Sequence, residues 1–149
     1  MKKVILSFFL IAFAFVSVKA QVDGRAIGLR FSGILDNNAE ISYQHPLSQI
    51  NRLEVDLGLN HDMIALTGVY QWVWDFSQLA DGFNLYAGVG GLVGVDNSRM
   101  GLSFVGQGGI EYTFNIPLQL SLDYRPAVSI ISGINNNFAN LCLSARFKF

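Results

Sequence analysis

Nine charged residues sit at polar positions within otherwise apolar segments: Arg30, Glu40, Arg52, Glu54, Asp56, Glu111, Asp123, Arg125 and Arg146. Charges of both signs in such surroundings can pair with each other, relay protons or ions, or act on a substrate. Pairing is the expectation here. A guanidinium presents a planar fork that matches a carboxylate, and an enclosed charge without a partner is costly. A relay is the rival, because ionisable groups at membrane depth mark function by default. Catalysis has little to work with. His45 precedes Pro46 in an expected turn, and His61-Asp62 falls in an expected loop. Nucleophile and base must lie within hydrogen-bond reach. The hydroxyls open to His61 are Ser98, Ser129 and Ser132, with no evident third group to orient the base. Two histidines without clustered cysteines or carboxylates make a poor metal site. Gly88, Gly90, Gly91 and Gly94 lie in a strand pattern and open no helix, so they fail the dinucleotide fingerprint. The single Cys142 cannot form an internal disulfide and reads as a small filler. No catalytic residue, cofactor or metal is expected.

The elements that position these charges are strands. Residues 141–149 alternate strictly: Leu141, Leu143, Ala145, Phe147 and Phe149 on one face, Cys142, Ser144, Arg146 and Lys148 on the other. Successive strand side chains point to opposite faces. Seven earlier segments follow the same rule, at about residues 25–32, 39–44, 52–60, 64–74, 83–95, 102–114 and 118–125. Alternation is weakest in the fourth, where Ala65, Thr67, Val69, Gln71 and Val73 would face inward. Turn-forming runs separate the segments: Asp36-Asn37-Asn38, His45-Pro46, Asp81-Gly82, Asp96-Asn97-Ser98, Asn115-Ile116-Pro117 and Asn135-Asn136-Asn137. The expected fold is all-β: an eight-stranded antiparallel up-and-down transmembrane β-barrel. Its longest outward link would be 126–140, with Arg99 in another loop.

Residues 1–20 read as a cleaved signal peptide: Lys2 and Lys3, an apolar run from Val4 to Val18, and Ala20 at the cut. The barrel domain is then 21–149. Removing Lys2, Lys3 and Lys19 leaves seven basic residues against 11 acidic ones, a net charge of −4. No basic run remains, so nucleic acid is not an expected partner. The chain is 51% hydrophobic, yet beyond the signal no apolar stretch is long enough for a spanning helix. Hydrocarbon cannot satisfy open sheet edges, so a closed barrel is the alternative. The polar face is mostly Gly, Ser and Gln with a few mixed charges, which places it in a narrow lumen rather than in water. Within that lumen Arg146 is expected to reach Asp123, and Glu111 to meet Arg125. Tyr43, Trp72, Trp74, Tyr112, Phe114, Phe147 and Phe149 would form an aromatic girdle at the periplasmic ends.

The segments Asn51-Arg-Leu-Glu-Val-Asp-Leu-Gly58, Gly68-Val-Tyr-Gln-Trp72, Leu85-Tyr-Ala-Gly-Val-Gly-Gly91, Gly109-Ile-Glu-Tyr112, Ile116-Pro-Leu-Gln-Leu-Ser-Leu-Asp-Tyr-Arg-Pro126 and Arg146-Phe-Lys-Phe149 carry a resemblance. The chain resembles the small outer-membrane β-barrel family, the porin-like or OmpA/OmpX-like barrels of diderm bacteria. That resemblance implies an outer-membrane location and a barrel architecture; the expected surroundings are outer-membrane lipid and lipopolysaccharide, and the expected state is a monomer. The resemblance also implies handling by the barrel assembly machinery through the C-terminal strand. It specifies no activity. The expected role is a structural or interaction platform with a plugged lumen. The alternatives are a small channel, a lipid A-modifying enzyme, or a soluble lipocalin-like lipid-binding barrel.

Overall fold

The structure is a computed structural model that describes residues 24–32, 38–59, 62–131 and 140–149. The expected signal peptide, His61, Ser132 and the turn residues Asp36, Asn37 and 135–137 lie outside the described residues. The strands are β1 (Ala26–Ser32), β2 (Asn38–Pro46), β3 (Asn51–Leu59), β4 (Met63–Asp75), β5 (Phe83–Asp96), β6 (Arg99–Thr113), β7 (Leu118–Arg125), β8 (Ala127–Ile131) and β9 (Asn140–Lys148). All pairings are antiparallel, and β1 pairs with both β2 and β9. With β5 also pairing to β6, the sheet closes on itself. β7 and β8 lie along the same neighbour, β6, and together form one strand position. The result is the eight-stranded closed antiparallel barrel expected from the alternation.

Both described chain ends meet at one end of the barrel, where the Arg25 amide donates to the Phe149 carbonyl at 3.0 Å and the Phe149 amide to Arg25 at 2.9 Å. This near end also carries the connections 47–50, 76–82 and 114–117. The far end carries the hairpin at Asn97 and Ser98, where Asn97 adopts φ 37°. Asparagine tolerates that left-handed conformation better than most residues.

Several boundaries differ from the sequence reading. His45 and Pro46 end β2 rather than forming a turn, and Arg99 starts β6 rather than sitting in a loop. Strand seven does not stop at Arg125. Pro126 lacks an N–H, but its carbonyl accepts from the Gly106 amide at 2.9 Å. Pairing with β6 therefore resumes through Ala127–Ile131, inside the stretch expected to be loop.

Burial is inverted relative to a water-soluble domain. The buried set is dominated by Arg, Glu, Asp, Gln and Ser, while Ile27, Leu29, Leu66, Val89, Phe104, Leu143 and Phe147 face outward. In β4 the weakly patterned inner set Ala65, Thr67, Val69, Gln71 and Val73 is indeed the buried one. Gly91, unlike Gly88 and Gly94, lies on the outer side. A small apolar cluster of Val69, Leu92 and Val105, with Ala127 against it, fills the lumen beside the charges.

Candidate functional site: the lumenal charge network

The polar positions that share a parity with Arg30, Glu54 and Arg146 point into the lumen, so long side chains from opposite walls meet there. Glu54 on β3 is the hub. Its Oε1 accepts from Arg125 Nη2 at 2.8 Å, Gln107 Nε2 at 3.1 Å and Arg30 Nη1 at 3.5 Å. Its Oε2 accepts from Gln44 Nε2 at 2.7 Å and Arg146 Nη2 at 3.0 Å. Arg146 on β9 also donates through Nε to Ser42 and through Nη1 to Ser121, each at 2.9 Å.

Two further groups flank the hub. Arg30 on β1 grips Asp123 on β7 with both terminal nitrogens, at 2.8 and 2.5 Å. Tyr86 donates to the same carboxylate at 2.6 Å. Arg52 on β3 holds Glu111 on β6 bidentately, at 2.9 and 2.7 Å. Asn84 donates to Glu111 at 3.2 Å. Arg52 Nε donates to Gln71 at 2.6 Å, and Gln71 to Gln107 at 2.7 Å, which returns the chain of bonds to Glu54. The Arg52 guanidinium lies 5.1 Å from the Tyr86 ring centroid, within range of the attraction between a cation and an aromatic face.

Glu40 and Asp56 are more loosely held. Asp56 Oδ2 accepts from Arg125 Nη2 at 2.5 Å. Glu40 Oε2 lies 3.5 Å from Arg30 Nε and 3.7 Å from Arg125 Nη1. A cavity of about 30 Å³ adjoins it, lined by Asn38, Glu40, Gly58, Leu59 and Met63 among others. That exceeds the room of about 10–15 Å³ that one water needs.

All nine sequence-picked charges are therefore in the lumen and in contact, but not in the expected pairs. Arg146 bonds Glu54 rather than Asp123, and Glu111 bonds Arg52 rather than Arg125. These two pairs reach across the lumen, whereas Arg30 and Glu40 face each other on the adjacent strands β1 and β2. Gln44, Gln71, Gln107 and Tyr86 complete the network and were not singled out from sequence. The signal for them was their inward parity on the same strands as the charges. Among the described residues no group of three or more His, Cys, Asp or Glu is arranged to hold a metal. His45 meets Tyr43, its Nδ1 3.4 Å from the phenol oxygen. Ser98 lies in the far-end hairpin and Ser129 on β8.

The aromatic set gathers on the outer side toward the near end. Phe147 pairs in register with Ile27 and Leu118, Trp74 with Leu85, and Tyr112 with Phe83. Tyr112 meets Phe83 and Phe114 with ring centroids 5.0 and 4.7 Å apart. Tyr70, not picked from sequence, stacks edge-on to Trp72 at 5.0 Å.

The network predicts a contrast between two arginines. Arg125→Ala removes the guanidinium that Glu54 and Asp56 share, from a residue only 4% exposed. It should cost roughly 3–5 kcal/mol, as breaking a buried pair does. Arg99 is exposed at the start of β6. Arg99→Ala should stay within about 0.5 kcal/mol of the parent. Urea unfolding of both variants in detergent micelles checks this, and equal midpoints would refute it.

No family model and no curated protein matches the chain. A solved structure from the de novo design of transmembrane β-barrels does match, with a TM-score of 0.61 and 15% identity over 87% of this chain and 99% of that one. Fold and comparison together define the class: a closed, eight-stranded, antiparallel β-barrel of the transmembrane type.

Proposed function

We propose that the protein is an integral outer-membrane barrel acting as a structural or interaction platform, with a lumen plugged by paired charges and without catalysis. The inversion of burial carries this reading. Ile64, Leu66, Val89 and Phe104 are 57%, 50%, 57% and 66% exposed, whereas Arg30, Glu54 and Asp56 are fully enclosed. A soluble lipocalin-like barrel needs the reverse arrangement, with apolar residues around its ligand. A channel needs a continuous polar path, and the Arg30–Asp123 and Arg52–Glu111 pairs cross the lumen where that path would run. Small barrels of this strand number hold side chains rather than a water column.

The targeting reading belongs to the same proposal. Residues 1–20 direct export, the domain 21–149 inserts into the outer membrane of a diderm bacterium, and its surroundings are membrane lipid and lipopolysaccharide. The last strand, ending on Phe149, is what the assembly machinery would read. Deleting Phe149 should lower the yield of folded barrel in the outer membrane while leaving export across the inner membrane intact. Cell fractionation with unheated gels reports both.

The test of the main reading uses purified protein folded into phospholipid vesicles. Unheated and boiled samples should migrate differently, planar bilayers should show no stepwise conductance, and lipid A mass should be unchanged when the protein is expressed. A monodisperse, detergent-free monomer would overturn the membrane reading. Conductance steps or altered lipid A would replace the platform with the channel or the enzyme.

A further inference from the structure

The near end of the barrel is unusually apolar at its tips. Leu47 and Ile50 in the connection 47–50 are 52% and 47% exposed, Leu79 in 76–82 is 77% exposed, Ile116 in 114–117 is 61% exposed, and Phe149 is 61% exposed. Turn tips in water are normally polar, because nothing covers them. These three connections hold one formal charge, Asp81, and no lysine or arginine. At the far end the connection among the described residues is Asn97-Ser98, flanked by Asp96 and Arg99.

Topology decides what kind of partner fits. The connections join β2 to β3, β4 to β5 and β6 to β7, and Phe149 follows β9 beside β1. In a closed eight-strand ring these are alternate gaps, so the apolar tips are spread round the whole rim. A discrete protein would meet one side of such a ring. A planar medium meets all of it at once.

The turn backbones also suit a poorly hydrated setting. The Leu47 and Ser48 amides donate to the Asn51 carbonyl, each at 3.0 Å. Phe76 donates to Phe83 at 2.9 Å, Leu79 to Phe76 at 3.0 Å, and Phe114 to Leu118 at 3.0 Å. Ser48 Oγ accepts from Ile50 and Asn51, and Asp75 Oδ1 accepts from Ser77. Polar groups satisfied within the turn lose less on leaving water.

We propose that this end is an interfacial anchor: the tips Leu47, Ile50, Leu79 and Ile116, with Phe149, lie in the headgroup–acyl boundary of the adjacent lipid leaflet. The lipid is recognised by apolar contact rather than by charge. The aromatic girdle then marks the inner margin of this contact and not its limit. The inference rests on the membrane reading above.

The experiment places an environment-sensitive NBD label at single cysteines, introduced as Ile50→Cys, Leu79→Cys and Ile116→Cys in a Cys142→Ala background. Leu122→Cys, outward on β7, is the mid-belt control, and Ser98→Cys is the far-end control. The proteins are folded into phosphatidylcholine–phosphatidylethanolamine vesicles carrying doxyl spin labels near the headgroup or at mid-chain. Labels at 50, 79 and 116 should lose quenching by aqueous iodide and be quenched most by the headgroup-proximal doxyl, while the label at 98 stays open to iodide. Free iodide access at 79 and 116, equal to that at 98, would overturn the anchor. Protection at only one turn would also overturn it, by pointing to a local contact. If the label at 122 escapes mid-chain doxyl, the membrane reading itself fails, so the two failures are told apart.

Discussion

Glu54→Leu is expected to destabilise the folded barrel by about 3–5 kcal/mol, the range for removing one partner of a buried ion pair. Glu54 is fully enclosed and accepts from five side chains, Arg30, Arg125, Arg146, Gln44 and Gln107. They do not lose equally. Arg30 keeps its bidentate bond to Asp123, and Arg125 keeps Asp56. Arg146 keeps only the hydroxyls of Ser42 and Ser121, so its charge is the one left without a carboxylate. Most of the cost should therefore come from Arg146. Removing both members of a buried pair can be nearly neutral. Glu54→Leu combined with Arg146→Met should accordingly recover a large part of the loss in a double-mutant cycle. Urea midpoints in lipid vesicles measure all the variants. Additive losses would show that Arg146 draws its stability from elsewhere.

The carboxylates are not equivalent. Five of them, Glu40, Glu54, Asp56, Glu111 and Asp123, are buried with four guanidiniums, those of Arg30, Arg52, Arg125 and Arg146. Among the described residues, the buried part of the lumen thus carries one more acid than base. The excess is felt where the pairing is loosest, at Glu40 and Asp56, whose Oε2 and Oδ1 accept no hydrogen bond. Asp56→Asn keeps an acceptor for Arg125 and removes the surplus charge. Its cost should stay under about 1 kcal/mol, below the typical effect of a single substitution. The urea midpoint in vesicles checks this, and a loss as large as that of Arg125→Ala would refute it.

The sequence made the fold legible because side-chain parity in a strand is strict. Arg30, Arg52 and Arg146 announce the inner face of β1, β3 and β9 by position alone. Parity says which face a residue occupies, not its height along the barrel. The pairs Arg30–Asp123 and Arg52–Glu111 depend on that height and on strand stagger, so adjacency in strand order suggested the wrong partners. Gln44, Gln71 and Gln107 were legible as inward residues, but an amide advertises no partner in the way a charge does. The missed β8 has a different cause. Pro126 reads as a stop because it cannot donate to a ladder, yet its carbonyl continues the pairing with Gly106.

Gly90→Ala is expected to block assembly or to cost at least about 3 kcal/mol, the upper end of what overpacking usually costs. Gly90 lies in one cross-strand row with the hub, running Gln44, Glu54, Val69, Gly90, Val105 and Ala127. Val69 and Val105 fill the lumen on either side of it. A Cβ on Gly90 would overlap the Gly68 carbonyl oxygen and lie 2.8 Å from Val69 Cα. Both are backbone atoms, so no rotamer change can relieve the contact, and β4 would have to move away from β5. Such a movement disturbs the row that sets Glu54 against its arginines. Glycine is required here by close approach of backbone to backbone. Gly68 itself is the control. A Cβ there meets nothing within 4 Å on the outer face. Gly68→Ala should fold with a stability equal to or slightly above the parent, since alanine loses less chain entropy than glycine. The heat-sensitive gel shift and the urea midpoint report both variants. A normally folded Gly90→Ala barrel would mean that β4 and β5 are farther apart at this row than the structure places them.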